Sequence, residues 1–226
     1  MPKTKTGKFA VGFTAVGFLF VLIAFVSPYW LQADKKIRNP KFQKIGLWEV
    51  CFKDFEDIHH WYDTRFTGCW WVFEEEFYII GDFLLPGFFV ATQFFFTVCM
   101  TLLLIAVALV ALFCICSRHH DRYLLLLLTV GTDLIIAGIS GLIAVIIFGI
   151  RGDGRDWMPN WEHNDMGWAY ALAVLGSIAL LPAGTLFLVE ARRTRYRRLN
   201  ELQAREGSVS SGYGMQERKS SHHTDI

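Results

Sequence analysis

Four long segments of the chain carry almost no charged residues, and this feature limits the available folds more than any other. Residues 9–33, 83–117 and 166–189 contain no Lys, Arg, Asp or Glu, and residues 123–150 contain only Asp133. A helix of about 20 apolar residues crosses a hydrocarbon core of about 30 Å. Because lipid offers no partner to a backbone N–H or C=O group, such segments must be helical. We therefore predict membrane-spanning helices near residues 9–29, 89–116, 123–149 and 167–189.

The composition excludes several other classes of protein. Hydrophobic residues make up 53% of the chain and charged residues 19%, whereas soluble domains average about 25% charged residues. The net charge of +1 shows no basic excess, so we expect no nucleic-acid partner. The sequence has no metalloprotease, phosphate-loop or nucleophile-elbow motif. We therefore expect no enzymatic activity, no cofactor and no metal site.

Basic residues that flank the spans predict that both termini lie in the cytoplasm. Three lysines lie within residues 1–8, two arginines in the 117–122 connection and five arginines in residues 192–198. Because the 117–122 connection is short, its two helices must be antiparallel neighbours, which favours an up-down four-helix bundle. The remaining segments are predicted as follows: extracellular loops at residues 30–88 and 150–166, and a cytoplasmic tail at residues 190–226.

The first extracellular loop contains two of the five cysteines, Cys51 and Cys69, on the oxidising side of the membrane. The other three lie in or beside the second span, so Cys51–Cys69 is the one intrachain disulfide that the topology allows outside. Two free thiols are the alternative. A crosslink closing a loop of this size contributes about 3 kcal/mol. Aromatic and β-branched residues predict strands at 45–52 and 70–73, whose register the disulfide would fix.

The same loop holds five of the eight tryptophans. Aromatic side chains can form the core and membrane seat of a small domain, or they can contact a partner directly. We favour the first interpretation. The five residues are Trp30, Trp48, Trp61, Trp70 and Trp71.

The order of Trp30, the Gly46-Leu47-Trp48 run, Cys51 and Cys69 in the first loop of a four-span chain is distinctive. It resembles the signature of the claudin superfamily, which includes claudins, peripheral myelin proteins and the auxiliary γ subunits of calcium channels. The resemblance covers roughly residues 8–190. It implies an α-helical membrane protein: a four-transmembrane-helix bundle with a small extracellular β-sheet domain in the first outer loop.

Residues 85–93, which enter the second span, are most similar to claudin-like proteins of invertebrate septate junctions, in particular the Pasiflora type. Two features depart from the family pattern. Seventeen residues separate the two cysteines, more than is usual in claudins, and the chain has no Asn-x-Ser/Thr sequon of the kind found in several γ subunits. The longer cysteine spacing prevents a residue-by-residue transfer of a paracellular pore.

Asp133 is the one acidic residue inside a predicted span. A carboxylate there is costly unless it is neutral or paired, so a functional role is the default hypothesis. We expect a protonated side chain that hydrogen-bonds across the bundle. Contact with a partner's helix is the alternative.

The cytoplasmic side carries two further motifs. Cys114 and Cys116 lie where juxtamembrane cysteines are often palmitoylated, although plain thiols are the alternative. The last three residues place a hydroxyl two positions before an apolar carboxy terminus, a pattern that fits a PDZ groove. They are Thr224, Asp225 and Ile226.

The resemblance implies a non-enzymatic, claudin-like junction protein of the plasma membrane, placed at lateral cell–cell contacts. Such a protein would assemble laterally and help form the paracellular barrier of a septate or tight junction. Its implied partners are membrane lipids, further copies of itself, other claudin-like or junctional proteins and a PDZ scaffold. The alternative is an auxiliary subunit of an ion channel or receptor with the same four-span fold.

Overall fold

The computed structural model describes residues 4–34, 40–56, 65–115, 122–152, 154, 157–158 and 164–221. Side chains are described up to Arg205, apart from Glu76, Tyr78 and Ile79. Trp61, Cys116 and the carboxy-terminal Thr224, Asp225 and Ile226 lie outside the described residues.

Four long helices are apolar enough to cross a membrane, which confirms the predicted fold class. The first begins at Lys5 because Thr4 caps it: the Thr4 Oγ1 accepts a hydrogen bond from the Gly7 N–H at 3.1 Å. The second and third are joined by residues 116–122, so they run antiparallel. The four are α1 (Lys5–Val26), α3 (Gly87–Ile115), α4 (Tyr123–Arg151) and α5 (Trp168–Ser221).

The helix α5 packs between α1 and α4, and α4 packs on its other side against α3. Small residues bring the backbones close together, as is usual in membrane bundles. A Cβ added to Gly131 of α4 would lie 3.1 Å from the Gly184 carbonyl oxygen of α5. A Cβ added to Gly184 would lie 2.7 Å from the Gly131 carbonyl oxygen. The two helices therefore meet backbone to backbone at this level.

A five-stranded antiparallel sheet lies at one end of the bundle, beyond the last residues of α1 and α4. Its order is β4-β3-β2-β1-β5, so β4 and β5 are the edge strands. A 3-10 helix, Glu75–Ile80, and a short helix α2, Gly81–Leu84, join the sheet to α3. The strands are β1 (Leu31–Ala33), β2 (Phe42–Ile45), β3 (Glu49–Phe55), β4 (Phe66–Trp71) and β5 (Asn164–Met166).

Three details of the sheet differ from the sequence prediction. The strand predicted at 70–73 begins at Phe66 and ends at Trp71, so Val72 and Phe73 lie in the turn that follows it. The single strand predicted at 45–52 is two strands, because the chain turns at residues 46–48, where the Gly46 N–H donates to the Glu49 carbonyl oxygen at 2.8 Å. The sheet also takes β5 from the connection between α4 and α5. Leu31 of β1 pairs with Ile45 on one side and with Met166 on the other. The connection between α4 and α5 is therefore part of the same domain as the sheet.

Candidate functional site

Trp30 joins the sheet to the helices at the end of the bundle that carries the sheet. Its indole is fully buried and lies edge-on to Phe96 of α3, Phe148 of α4 and Tyr170 of α5, with ring centroids 5.1, 5.1 and 6.0 Å away. Its Nε1–H donates to the Ala24 carbonyl oxygen at 2.8 Å. That carbonyl is among the last four of α1, which have no partner within the helix. One side chain thus contacts three helices and caps the fourth.

The backbone of Trp30 makes a second set of contacts, to the sheet. Its N–H donates to the Ile45 carbonyl oxygen at 2.9 Å, and its C=O accepts from the Gly167 N–H at 2.9 Å. Residue 30 is therefore fixed from both sides by segments distant in sequence. Its position makes it the junction between the two layers of the protein.

Gly46 and Leu47 press the turn between β2 and β3 against the end of α1 and the start of α3. A Cβ at position 46 would overlap the Ser27 carbonyl oxygen and lie 2.6 Å from the Pro28 Cα. Only glycine allows so close an approach of two backbones. Leu47 is buried, and its carbonyl oxygen accepts a hydrogen bond from the buried Gln93 Nε2 at 2.6 Å. Sequence reasoning did not assign Gln93 a role, although an amide in an otherwise apolar span is a usable signal.

Trp48 also points toward the bundle. Its ring centroid lies 5.3 Å from that of Phe25 in α1 and 6.4 Å from that of Phe73. Its Nε1 is buried and has no hydrogen-bond partner among the described residues. The signature residues Trp30, Gly46, Leu47 and Trp48 therefore all lie at the seam between sheet and helices.

The disulfide predicted between Cys51 and Cys69 is present and joins β3 to the edge strand β4. The two residues are directly opposite each other in the antiparallel ladder, with Cα atoms 4.0 Å apart. Only Phe66 of the six β4 residues is buried. Hydrophobic burial thus contributes little to the stability of this strand, and the disulfide provides a covalent link that holds it to β3.

Three aromatic side chains beside the disulfide face outward. Trp70, Trp71 and Phe73 are 41%, 56% and 48% exposed. The rings of Trp71 and Phe73 meet edge-on at 5.4 Å, and we call these two residues the aromatic pair. Successive side chains alternate along a strand, so Trp70 lies on the opposite face from Trp71. The described tryptophans of this loop therefore divide: Trp30 and Trp48 seat the domain, whereas Trp70 and Trp71 are exposed.

Phe73 of the aromatic pair lines an open groove of about 510 Å³, formed by the turn after β4 and the helical segments that follow it. Most of its lining side chains are apolar, and the exposed Glu74 and Glu75 also line it. Sequence reasoning placed Phe73 in a strand, whereas the residue lies in the turn after β4. Its exposure was missed because propensity does not tell which side chains other segments cover. The main lining residues are Val72, Phe73, Glu74, Glu75, Phe77 and Leu85.

The remaining predicted site residues lie away from the sheet. Asp133 is half-buried on α4, and its Oδ2 is buried with no hydrogen-bond partner among the described residues. Cys114 is an exposed free cysteine near the end of α3. The structure brings neither of them to the sheet, and Cys116 and the carboxy-terminal Thr224–Ile226 motif lie outside the described residues.

Gly46 offers a direct test of the seam. Gly46→Ala should destabilise the protein by about 1–3 kcal/mol or more, because the new methyl group meets backbone atoms that cannot move aside. The matched control is Gly87→Ala at the start of α3, where an added Cβ meets nothing within 4 Å. Thermal unfolding of the purified protein in detergent measures both. Equal melting temperatures for the two variants would contradict the close approach described here.

Comparison with protein families places most of the chain in one of them. The model of the family described as PMP-22/EMP/MP20/Claudin tight junction matches residues 15–189. The matched segment takes in the seam, the disulfide, the aromatic pair, the whole of α3 and α4, and parts of α1 and α5. No curated protein matches the chain at a significant level.

Proposed function

The chain belongs to the PMP-22/EMP/MP20/claudin family of junction membrane proteins, and we propose that it helps form a paracellular barrier. In this proposal it assembles laterally in the plasma membrane at cell–cell contacts, as part of a septate or tight junction. Both termini are cytoplasmic and the sheet faces outside, as the flanking basic residues indicate. The role is structural and involves no enzymatic step. Its partners are further copies of the chain and other claudin-like or junctional proteins.

The observation that carries the proposal is the division of the aromatic residues in the outer domain. Trp30 and Trp48 already anchor the sheet to the bundle, so Trp71 and Phe73 are not needed for that purpose. Solvent-exposed aromatic side chains beside an apolar groove are typical of the centre of a protein–protein interface. The aromatic pair and its groove are therefore the surface through which the outer domain would contact a neighbouring molecule.

Removing the aromatic pair should separate barrier function from folding. In an epithelial sheet that lacks the endogenous protein, wild type should reduce tracer leak, and Trp71→Ala with Phe73→Ala should not. The double variant should still reach the cell surface, because exposed residues contribute little to stability. The measurements are tracer flux and imaging of the protein at lateral contacts.

A conservative variant serves as the control for that experiment. Trp71→Phe with Phe73→Tyr keeps two aromatic rings in place and should retain most of the barrier. If tracer leak with the double-alanine variant is as low as with wild type, the aromatic pair is not part of the interface. Unchanged leak on deletion of the whole protein, together with its absence from cell contacts, would refute the barrier itself.

A second function is favoured by one observation inside the membrane. Asp133 has a buried carboxylate oxygen without a partner among the described residues, and the nearby exposed Thr132 hydroxyl bonds back to the Leu128 carbonyl oxygen of its own helix at 2.9 Å. An unpartnered carboxyl group inside a span is costly. A hydrogen bond from another protein's span would remove that cost. This supports the alternative role as an auxiliary subunit of a channel or receptor.

Substitution of Asp133 distinguishes the two roles. If a partner helix binds it, Asp133→Leu should weaken co-purification of a pore-forming protein about three- to tenfold, the usual range for a polar contact between membrane helices. Asp133→Asn, which keeps the hydrogen-bonding capacity, should retain most of the binding. The matched control is Thr132→Val, which should change nothing. Equal recovery of the pore-forming protein with Asp133→Leu and with Asp133→Asn would exclude this contact.

Two further contacts belong to the proposed cytoplasmic side. The arginines of residues 192–198 attract anionic lipids of the inner leaflet, at about 1 kcal/mol for each residue near the surface. The carboxy-terminal Thr224, Asp225 and Ile226 fit a PDZ scaffold, whose groove captures a free carboxylate. Palmitoylation at the exposed Cys114 and at Cys116 would add a lipid anchor beside them.

A further inference from the structure

An open groove lies between α4 and α5 near the end of the bundle opposite the sheet. Its volume is about 510 Å³. Leucine side chains from both helices form one part of it, namely Leu124 and Leu128 of α4 and Leu188 of α5. Arg192, Arg195 and Tyr196 of α5 form the other part, with Ala191 beside them and Leu199 beyond them toward the carboxy-terminal end of the helix. No acidic side chain lines the groove among the described residues.

The two parts of the groove follow one another along the helix axis. Leu188, Arg192 and Arg195 recur at spacings of four and three residues, so they share one face of α5. At about 1.5 Å per residue, the arginines stand about 6 and 10 Å nearer the carboxy-terminal end than Leu188 does. The apolar part therefore lies within the span predicted at 167–189, and the basic part lies just beyond it. This is the order of parts in a phospholipid that stands in the same leaflet.

The arginines of this segment do not all serve the groove. Arg193 turns toward α1 and donates a hydrogen bond to the Thr6 Oγ1 at 2.8 Å. Arg192 lies over the Tyr196 ring, with its guanidinium carbon 5.7 Å from the centroid. The hydrogen bond that Arg192 donates to the Tyr196 hydroxyl, together with its charge, lowers the pKa of Tyr196. Arg192 is thus held in place at the groove, beside the exposed Arg195.

We propose that this groove binds one anionic glycerophospholipid, with its phosphate on Arg192 and Arg195 and an acyl chain over Leu124, Leu128 and Leu188. Guanidinium groups pair with phosphate oxygens through parallel hydrogen bonds, which gives geometry as well as charge. A soluble anion would leave the leucines uncovered, and Leu128, which is part of a membrane span, is open to the bilayer. The ligand therefore comes from the membrane. This inference rests on the proposed cytoplasmic orientation and is independent of barrier function.

Charge substitutions test the basic part of the site. Native mass spectrometry of the purified full-length protein, titrated with dioleoyl phosphatidylserine, should show one tightly retained lipid, and dioleoyl phosphatidylcholine should bind more weakly. Arg195→Gln should weaken phosphatidylserine binding about fivefold, the usual effect of one basic residue at an anionic surface. Arg197→Gln is the matched control, because Arg197 is exposed on the same helix and does not line the groove. It should weaken binding less than twofold.

A size substitution tests the apolar part without changing charge. Leu128→Trp fills the groove and should weaken phosphatidylserine binding at least tenfold while both arginines remain. Leu125→Trp places the same ring on the exposed side of α4 outside the groove and should have no effect. Equal losses for Arg195→Gln and Arg197→Gln, or normal binding by Leu128→Trp, would overturn the site. So would competition by water-soluble glycerophosphoserine at the same concentration as the lipid. Because the measurement uses isolated protein, its failure would leave the barrier proposal standing.

Discussion

Replacing Trp30 by Ala should lower the stability of the protein more than any other single side-chain truncation in the outer domain. A buried Trp→Ala change costs roughly 3–5 kcal/mol. Here the indole also fills the space between three helices, since it contacts Phe96, Phe148 and Tyr170 at once. We expect a lowered melting temperature in detergent and loss of delivery to the cell surface.

Two variants separate the contributions of the Trp30 ring and its N–H group. Trp30→Phe keeps an aromatic ring but leaves the Ala24 carbonyl oxygen without its donor, which should cost about 1–3 kcal/mol. Trp71→Ala removes an indole that is already exposed and should change stability by no more than about 0.5 kcal/mol. We expect wild type and Trp71→Ala to have the highest and nearly equal melting temperatures. Trp30→Phe should melt lower, and Trp30→Ala lowest. Equal melting of the two alanine variants would show that Trp30 does not hold the layers together.

The helices could be predicted from the sequence because the physics that fixes them is local. A span needs only length, apolar composition and internally satisfied backbone groups, all of which are legible in residues 9–33 or 83–117. The disulfide was predictable for a similar reason. Topology leaves Cys51 and Cys69 alone on the oxidising side, and no geometry is needed to pair them.

The sheet could be predicted only in part, because strand boundaries depend on contacts between distant segments. Residues 45–52 are mostly apolar and favour a strand, and the single Gly46 indicates a bulge or a close backbone approach as readily as a turn. The turn follows from the packing of Gly46 against Ser27 and Pro28, nearly twenty residues earlier. The strand β5 is three residues long and has no aromatic or β-branched residue, so its propensity gave no signal. It exists because β1 offers it an edge.

The roles of the tryptophans show the same limit. Composition places Trp30, Trp48, Trp70 and Trp71 in one loop, and it cannot tell an anchor from an exposed contact residue. The distinction depends on which helices stand beneath each ring, and therefore on tertiary structure. The same holds for the groove between α4 and α5: five arginines within seven residues read as one basic cluster, and only the packing of the helices separates Arg192 and Arg195 from Arg193.

Loss of the Cys51–Cys69 disulfide should release the edge strand β4 while leaving the helices intact. Strand β4 is hydrogen-bonded to β3 alone, since it lies at the end of the sheet order, and one of its six side chains is buried. Closure of the loop contributes about 3 kcal/mol, which corresponds to about a hundredfold change in an opening equilibrium. Cys51→Ser should therefore raise amide hydrogen exchange in β4 about a hundredfold and leave exchange in α3 and α4 unchanged.

The single and double cysteine variants should behave alike, because each lacks the same bond. We expect Cys51→Ser, Cys69→Ser and the double variant all to be retained in the secretory pathway, since only one of the six β4 residues is buried and this burial does not offset the ordering entropy of the strand without the crosslink. Cys114→Ser, which removes an exposed free cysteine, is the matched control and should reach the surface normally. Normal delivery of all three disulfide variants, with unchanged exchange in β4, would mean that the β3–β4 hydrogen bonds suffice to hold the strand.

If β4 is released and the helices remain folded, the aromatic pair loses its support. Tracer leak should then rise to the level of the Trp71→Ala and Phe73→Ala variant in any molecules that still reach the surface.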